Sequence, residues 1–160
     1  GPHAVTLIRT LAEAAGKDGM VSGQMLDIAA ETATTPLTLD QITTLQARKT
    51  GCLIEWSACA GARLAGADPE PLRQYAQALG LAFQIADDIL DIEGDAATVG
   101  KAVRKDAEAG KATFVSLLGL DGAKTRAHEL AEVACAALAP YGAAGDTLKD
   151  AARFVISRDS

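Results

Sequence analysis

Apolar residues recur at helical spacing almost from the start of the chain. Val5, Leu7, Ile8, Leu11, Ala12 and Ala15 share one pattern over residues 4–15, and Gly16 stands where that helix stops. Gly19 and Gly23 predict a break over residues 19–24, followed by a helical turn through Met25, Leu26, Ile28 and Ala29 and a loop at 32–36. Thr38 with Gln41 three residues on has the form of a capping box. From it Ile42, Leu45, Leu53, Ile54, Trp56 and Cys59 carry one long central helix to Leu64. Gly51 interrupts that helix after Lys49 and Thr50, and a mid-helix Gly costs about 1 kcal/mol relative to Ala, so a kink or a close approach is expected there.

Gly66 closes the central helix, Asp68 caps the next one and Pro69 takes its first position. Leu72, Tyr75, Ala76, Leu79, Phe83, Ala86 and Leu90 then mark a helix that ends near Gly94. Residues 94–111, rich in Gly, Lys and Asp, read as a loop with short helical turns. Helices over 113–118 and 122–138 follow, then a break at Pro140-Tyr141-Gly142 and a last amphipathic helix over 146–157. No repeat, low-complexity stretch or domain linker interrupts the series, so the 160 residues form one unit.

Composition agrees with an all-α helical bundle. The chain is 49% hydrophobic but only 4% aromatic, with Ala dominating, as closely packed helices require, and strands are poorly supported. Fifteen basic against twenty-one acidic residues leave a net charge of −6, which gives no general field for nucleic acid or an anionic membrane surface. Three cysteines, Cys52, Cys59 and Cys135, have neither metal-ligand spacing nor an even number, and are expected as reduced thiols. No run of about 18 apolar residues occurs, and the layout of a signal peptide is absent, so a soluble, cytoplasmic protein is expected.

Charge changes the picture most over residues 80–93. Residues at i, i+3, i+4 and i+7 share a helix face, so Gln84, Asp87, Asp88 and Asp91 form one polar stripe. Three neighbouring carboxylates repel one another and call for a cation. A solvated acidic face is the plain alternative, but Leu81, Phe83, Ile85, Ile89, Leu90 and Ile92 flank the stripe and suggest that it lines a cavity. Hard oxygen ligands suit magnesium, which shares its coordination sphere with water and phosphate oxygens. Lys49, Lys101, Lys105 and Lys111 lie at loops or breaks from which they can converge on the same cavity and cradle a diphosphate.

The run Gly80-Leu81-Ala82-Phe83-Gln84-Ile85-Ala86-Asp87-Asp88-Ile89-Leu90-Asp91 resembles the second aspartate-rich motif of the short-chain trans-isoprenyl diphosphate synthases. Further landmarks of that family follow its order: Gly23-Gln24 with Asp27, Lys49-Thr50-Gly51, Gly94-Asp95, Gly100-Lys101, and Gly110-Lys111-Ala112-Thr113-Phe114 leading to Leu117-Leu118-Gly119. The resemblance implies the C-terminal half of an isoprenoid synthase fold and a prenyltransferase reaction. In that reaction isopentenyl diphosphate attacks the carbocation left when an allylic diphosphate ionises with magnesium, giving farnesyl or geranylgeranyl diphosphate. Carried over by position, Asp87 binds magnesium, with Asp88 and Asp91 ligating or supporting. Lys49, Lys101 and Lys111 contact diphosphate, and Thr50 and Gln84 stand beside the reacting carbons.

Members of the family are about twice this length, as the resemblance has it, and the landmarks present belong to their C-terminal half. Neither the first aspartate-rich motif nor the arginines for isopentenyl diphosphate is found, so the 160-residue chain alone is expected to be inactive. Ser22, Arg104 and Val115 depart from the usual family residues, and the ending Phe154-Val155-Ile156-Ser157-Arg158-Asp159 resembles a family C-terminus. Helices that pack on the other half should here expose an apolar face. The resemblance also implies a homodimer for the full-length protein. A different reading, a short non-catalytic homologue that binds diphosphate or a helical partner, remains beside it.

Overall fold

The computed structural model describes residues 2–98 and 111–158. All regular structure among them is helical: α1 (Pro2–Ala15), α2 (Met20–Glu31), α3 (Leu39–Gln46), a π-helical turn (Ala47–Gly51), α4 (Cys52–Ala65), α5 (Glu70–Thr98), α6 (Phe114–Leu118), α7 (Leu120–Ala137), a 3₁₀ segment (Ala139–Gly145) and α8 (Asp146–Ser157). None of these helices is long and apolar enough to cross a membrane.

The expected helix signals act where the sequence places them. Thr38 caps α3 in a complete capping box, its hydroxyl accepting from the Gln41 N–H while the Gln41 side chain accepts from the Thr38 N–H. Gly66 ends α4 in the left-handed region at φ 67°, and Asp68 Oδ1 accepts from the Glu70 N–H at 2.9 Å to open α5. The expected interruption of the central helix is a π-helical turn over Ala47–Gly51 that carries Lys49 and Thr50.

Two differences from expectation go beyond a shift of one or two residues at a helix end. Instead of a break at 19–24, α2 starts at Met20 and runs through Gly23. Gly23 is there for proximity, because a Cβ at this position would stand 2.2 Å from the backbone nitrogen of Lys49. The close crossing of α2 on the π turn outweighs the helix-breaking tendency of glycine. The second difference is at the end of α5, which continues past Gly94 to Thr98 through Ala96 and Ala97, both good helix formers.

α5 is the spine of the molecule, and its principal partner is α7. Tyr75, Ala78, Ala82, Ile85 and Ile89 recur at alternating steps of three and four and are all buried. They meet Ala123, Ala127, Leu130 and Ala134 of α7, which follow the same rhythm and are buried too. Small side chains on both helices let the backbones approach closely. α8 closes this core with Ala152, and the buried Tyr75 hydroxyl donates to the Leu148 carbonyl at 2.9 Å. Phe114, 2% exposed, anchors α6 in the same cluster.

α1 and α2 complete the other side, α1 lying on α4 with the Trp56 indole N–H donating to Thr10 Oγ1 at 3.1 Å. The expected apolar face is on these helices, where Val5 and Ile8 of α1 and Val21, Met25 and Ile28 of α2 are all exposed. All three cysteines are free, and burial pushes the Cys59 and Cys52 thiols up, as inert structural thiols require.

Gly23→Ala should therefore act as an overpacking change at the α2–π crossing. It is expected to cost about 2 kcal/mol or more in thermal or denaturant unfolding. A stability equal to the parent's would show that the crossing yields freely.

Candidate functional site

The stripe on α5 faces a polar cavity of about 250 Å³. Gln84, Asp87, Asp88 and Asp91 form one wall. Lys49 from the π turn, Lys111 and Asp27 from α2 line it as well. The orientation follows from the core: Ala82, Ile85 and Ile89 point toward the packing partners of α5, which leaves Gln84, Asp87, Asp88 and Asp91 on the cavity side.

The carboxylates are not equivalent. Asp88 Oδ2 accepts from the Phe114 N–H at 2.7 Å, which ties the stripe to the start of α6. Asp87 pairs with the guanidinium of Arg158, the residue after α8, and that guanidinium also lies 4.5 Å from the centroid of the Phe83 ring. Among the described residues no three acidic, histidine or cysteine side chains converge closely enough to enclose a metal ion. The stripe is thus a row of donors along a helix rather than a closed cage.

The basic side is organised by a residue of the Gly23-Gln24 landmark. Asp27 takes Lys49 Nζ on Oδ2 at 2.5 Å and Lys111 Nζ on Oδ1 at 3.0 Å. Glu31, one turn on, adds a second contact to Lys111 at 3.6 Å. The Asp27 side chain is only 16% exposed. Burial pushes its carboxyl up, but hydrogen bonds and charge from Lys49 and Lys111 outweigh burial and hold it below the ordinary aspartate value. Two ammonium groups from distant parts of the chain are thereby held side by side.

Of the residues singled out by sequence, the structure brings Asp87, Asp88, Asp91, Gln84, Lys49 and Lys111 to one cavity. Thr50 lies beside Lys49 in the π turn but does not line the cavity. Lys101 lies outside the described residues, as do Arg104 and Lys105. Two participants carried no such assignment: Asp27 as the bridge between lysines, and Arg158 as the partner of Asp87. Asp27 was within reach through its place in a family landmark. Arg158 had no local signal, since its partner is 71 residues away.

The depressed Asp27 carboxyl makes a pH-dependent contribution. Its stabilisation is complete above the unfolded-state value of about 3.8 and is lost as pH falls through the lower folded-state value. Asp27→Asn should cost about 1 to 2 kcal/mol at neutral pH, a typical value for charge-assisted hydrogen bonds. The difference from the parent should shrink as pH falls below the carboxylate range; unfolding curves with a gap constant down to strongly acidic pH would contradict the pairing.

Residues 2–139 match the family model described as polyprenyl synthetase. The chain is 47% identical over 123 residues to the farnesyl diphosphate synthase of Geobacillus stearothermophilus, covering 75% of this chain and 41% of that one. It is 39% identical over 167 residues to that of Haemophilus influenzae, covering 98% and 54%. Among solved structures, an apo FPP/GFPP synthase from Zymomonas mobilis superposes at a TM-score of 0.84 with 44% identity, over 96% of this chain and 51% of that one. A geranyltransferase from Helicobacter pylori, complexed with magnesium and isoprenyl diphosphate, superposes at 0.75 with 32% identity, over 98% and 52%. The chain spans about half the length of these relatives. On sequence and fold alike, it belongs to the polyprenyl synthetase family.

Proposed function

We propose that the chain is the C-terminal portion of a prenyltransferase that condenses isopentenyl diphosphate with an allylic diphosphate to farnesyl or geranylgeranyl diphosphate. The observation that carries this reading is the cavity in which carboxylates of α5 stand across from the paired Lys49 and Lys111. The carboxylates would hold a divalent cation that neutralises a diphosphate, and the ammonium groups would hold that diphosphate from the other wall. The farnesyl diphosphate synthases among the relatives and the magnesium and isoprenyl diphosphate of the H. pylori structure support the same reading.

The donor set fits magnesium. That ion is usually held by one or two carboxylates together with water and phosphate oxygens rather than by an all-protein cage. Asp87 and Asp91, one turn apart on the cavity side of α5, supply such a pair, with Asp88 holding α6 in place beside them. When bound, magnesium supplies charge neutralisation for a departing diphosphate.

The remaining work falls to side chains. Lys49 and Lys111 bind the diphosphate and stabilise the negative charge that grows on it as the allylic carbon–oxygen bond breaks. Lys101 joins them in this reading. Gln84, on the cavity wall one turn before Asp88, turns its amide dipole toward the carbocation. The carboxylates for the other magnesium ions, and the arginines for isopentenyl diphosphate, come from the other half of the synthase. The complete protein works as a cytoplasmic homodimer.

Two outcomes test the proposal. The complete protein should form prenyl diphosphate from isopentenyl diphosphate and dimethylallyl or geranyl diphosphate, and Asp87→Ala should lower kcat/KM by about 100-fold or more. Unchanged turnover would remove Asp87 from the mechanism. The 160-residue chain assayed alone with magnesium should give no product, and turnover by it would show that one wall suffices.

A further inference from the structure

We infer that Arg158 is a built-in occupant of the cation position at Asp87, which a divalent cation must displace to reach that carboxylate. The inference rests on the reading of Asp87 as a cation ligand. Asp87 is on the cavity wall, yet its Oδ1 is held by Arg158.

Three features make this contact specific. First, α8 ends at Ser157, and Arg158 leaves it with extended backbone at φ −66° and ψ 131°, from where its side chain reaches α5. Second, the guanidinium lies over Phe83, which precedes Asp87 by one helical turn, so ring and carboxylate grip the same planar group from one helix. Third, Arg158 Nε is buried with no hydrogen-bond partner among the described residues. The position of the side chain therefore follows Asp87 and Phe83 rather than the best satisfaction of its own donors.

A guanidinium and a metal ion cannot both use that oxygen at full strength. Two positive charges would stand within a few ångströms of each other, and a hard cation requires the oxygen lone pair directly. Binding of one must weaken binding of the other by the same factor. The Arg158 side chain is 25% exposed and that of Asp87 45%, so the pair is only partly shielded from water. The discount on cation affinity should therefore resemble that of other half-exposed pairs, about two- to fivefold.

The test uses manganese(II) as the probe, titrated into the chain and followed by electron paramagnetic resonance of the free ion. Arg158→Gln should bind manganese about two- to fivefold more tightly than the parent. Arg153→Gln, on the same helix and paired with Asp150, makes the same change in net charge and should leave the affinity unaltered. Titration of magnesium into the parent should also move the Arg158 Nε–H resonance to its position in Asp87→Asn. Equal or weaker binding by Arg158→Gln, equal tightening by Arg153→Gln, or a stationary Nε–H signal overturns the inference. Asp87→Asn separates the two levels: if it binds manganese as the parent does, the cation reading of Asp87 fails and the inference falls with it. If it loses the ion while Arg158→Gln gains nothing, the inference alone fails.

Discussion

Close packing of α5 on α7 fixes the direction in which the acidic stripe points. Alanines at Ala78, Ala82, Ala123, Ala127 and Ala134 leave little room between the helices, and a tight interface resists rotation about the helix axis. A turn of α5 by one residue, about 100°, would take Ala82 and Ile85 out of the core and carry the stripe off the cavity. Placement of Asp87 and Asp91 is thus a by-product of burying their neighbours, and Asp88 adds a second constraint by holding the Phe114 N–H.

Charge pairing settles what packing leaves open. Carboxylates and ammonium groups drawn partly out of water cost several kcal/mol unless paired. Asp27 meets that requirement for Lys49 and Lys111, and Arg158 meets it for Asp87. The chain carries an excess of acid, with a net charge of −6, and nonetheless gathers Lys49 and Lys111 side by side at the cavity. Local placement, rather than net charge, decides which partner the cavity suits.

Local signals foretold the helices and the acidic wall. Thr38 with Gln41, Gly66 with Asp68, and the 3.6-residue rhythm of α5 and α8 depend on neighbours within a turn or two, so spacing alone discloses them. Gly23 misled because its role is tertiary: it marks where the π turn crosses α2, not a break before that helix. The Asp27–Lys49 and Asp87–Arg158 pairs span 22 and 71 residues, and only the folded chain brings them together.

α2 joins the two unequal sides of the molecule. Gly23 and Asp27, one turn apart, face inward to the π turn and the lysines, while Val21, Met25 and Ile28 occupy its exposed side. The α5–α7–α8 core is packed on its inner faces by its own residues, so the acidic wall is held from behind independently of α2. The lysine pair has no such support, because Asp27 is carried by the helix whose outer face lacks packing in this chain. A displacement of α2 would move the anchor of both ammonium groups while leaving the carboxylates in place. The geometry between the walls therefore depends on how well α2 is seated, and its seat on the inner side is the backbone contact at Gly23.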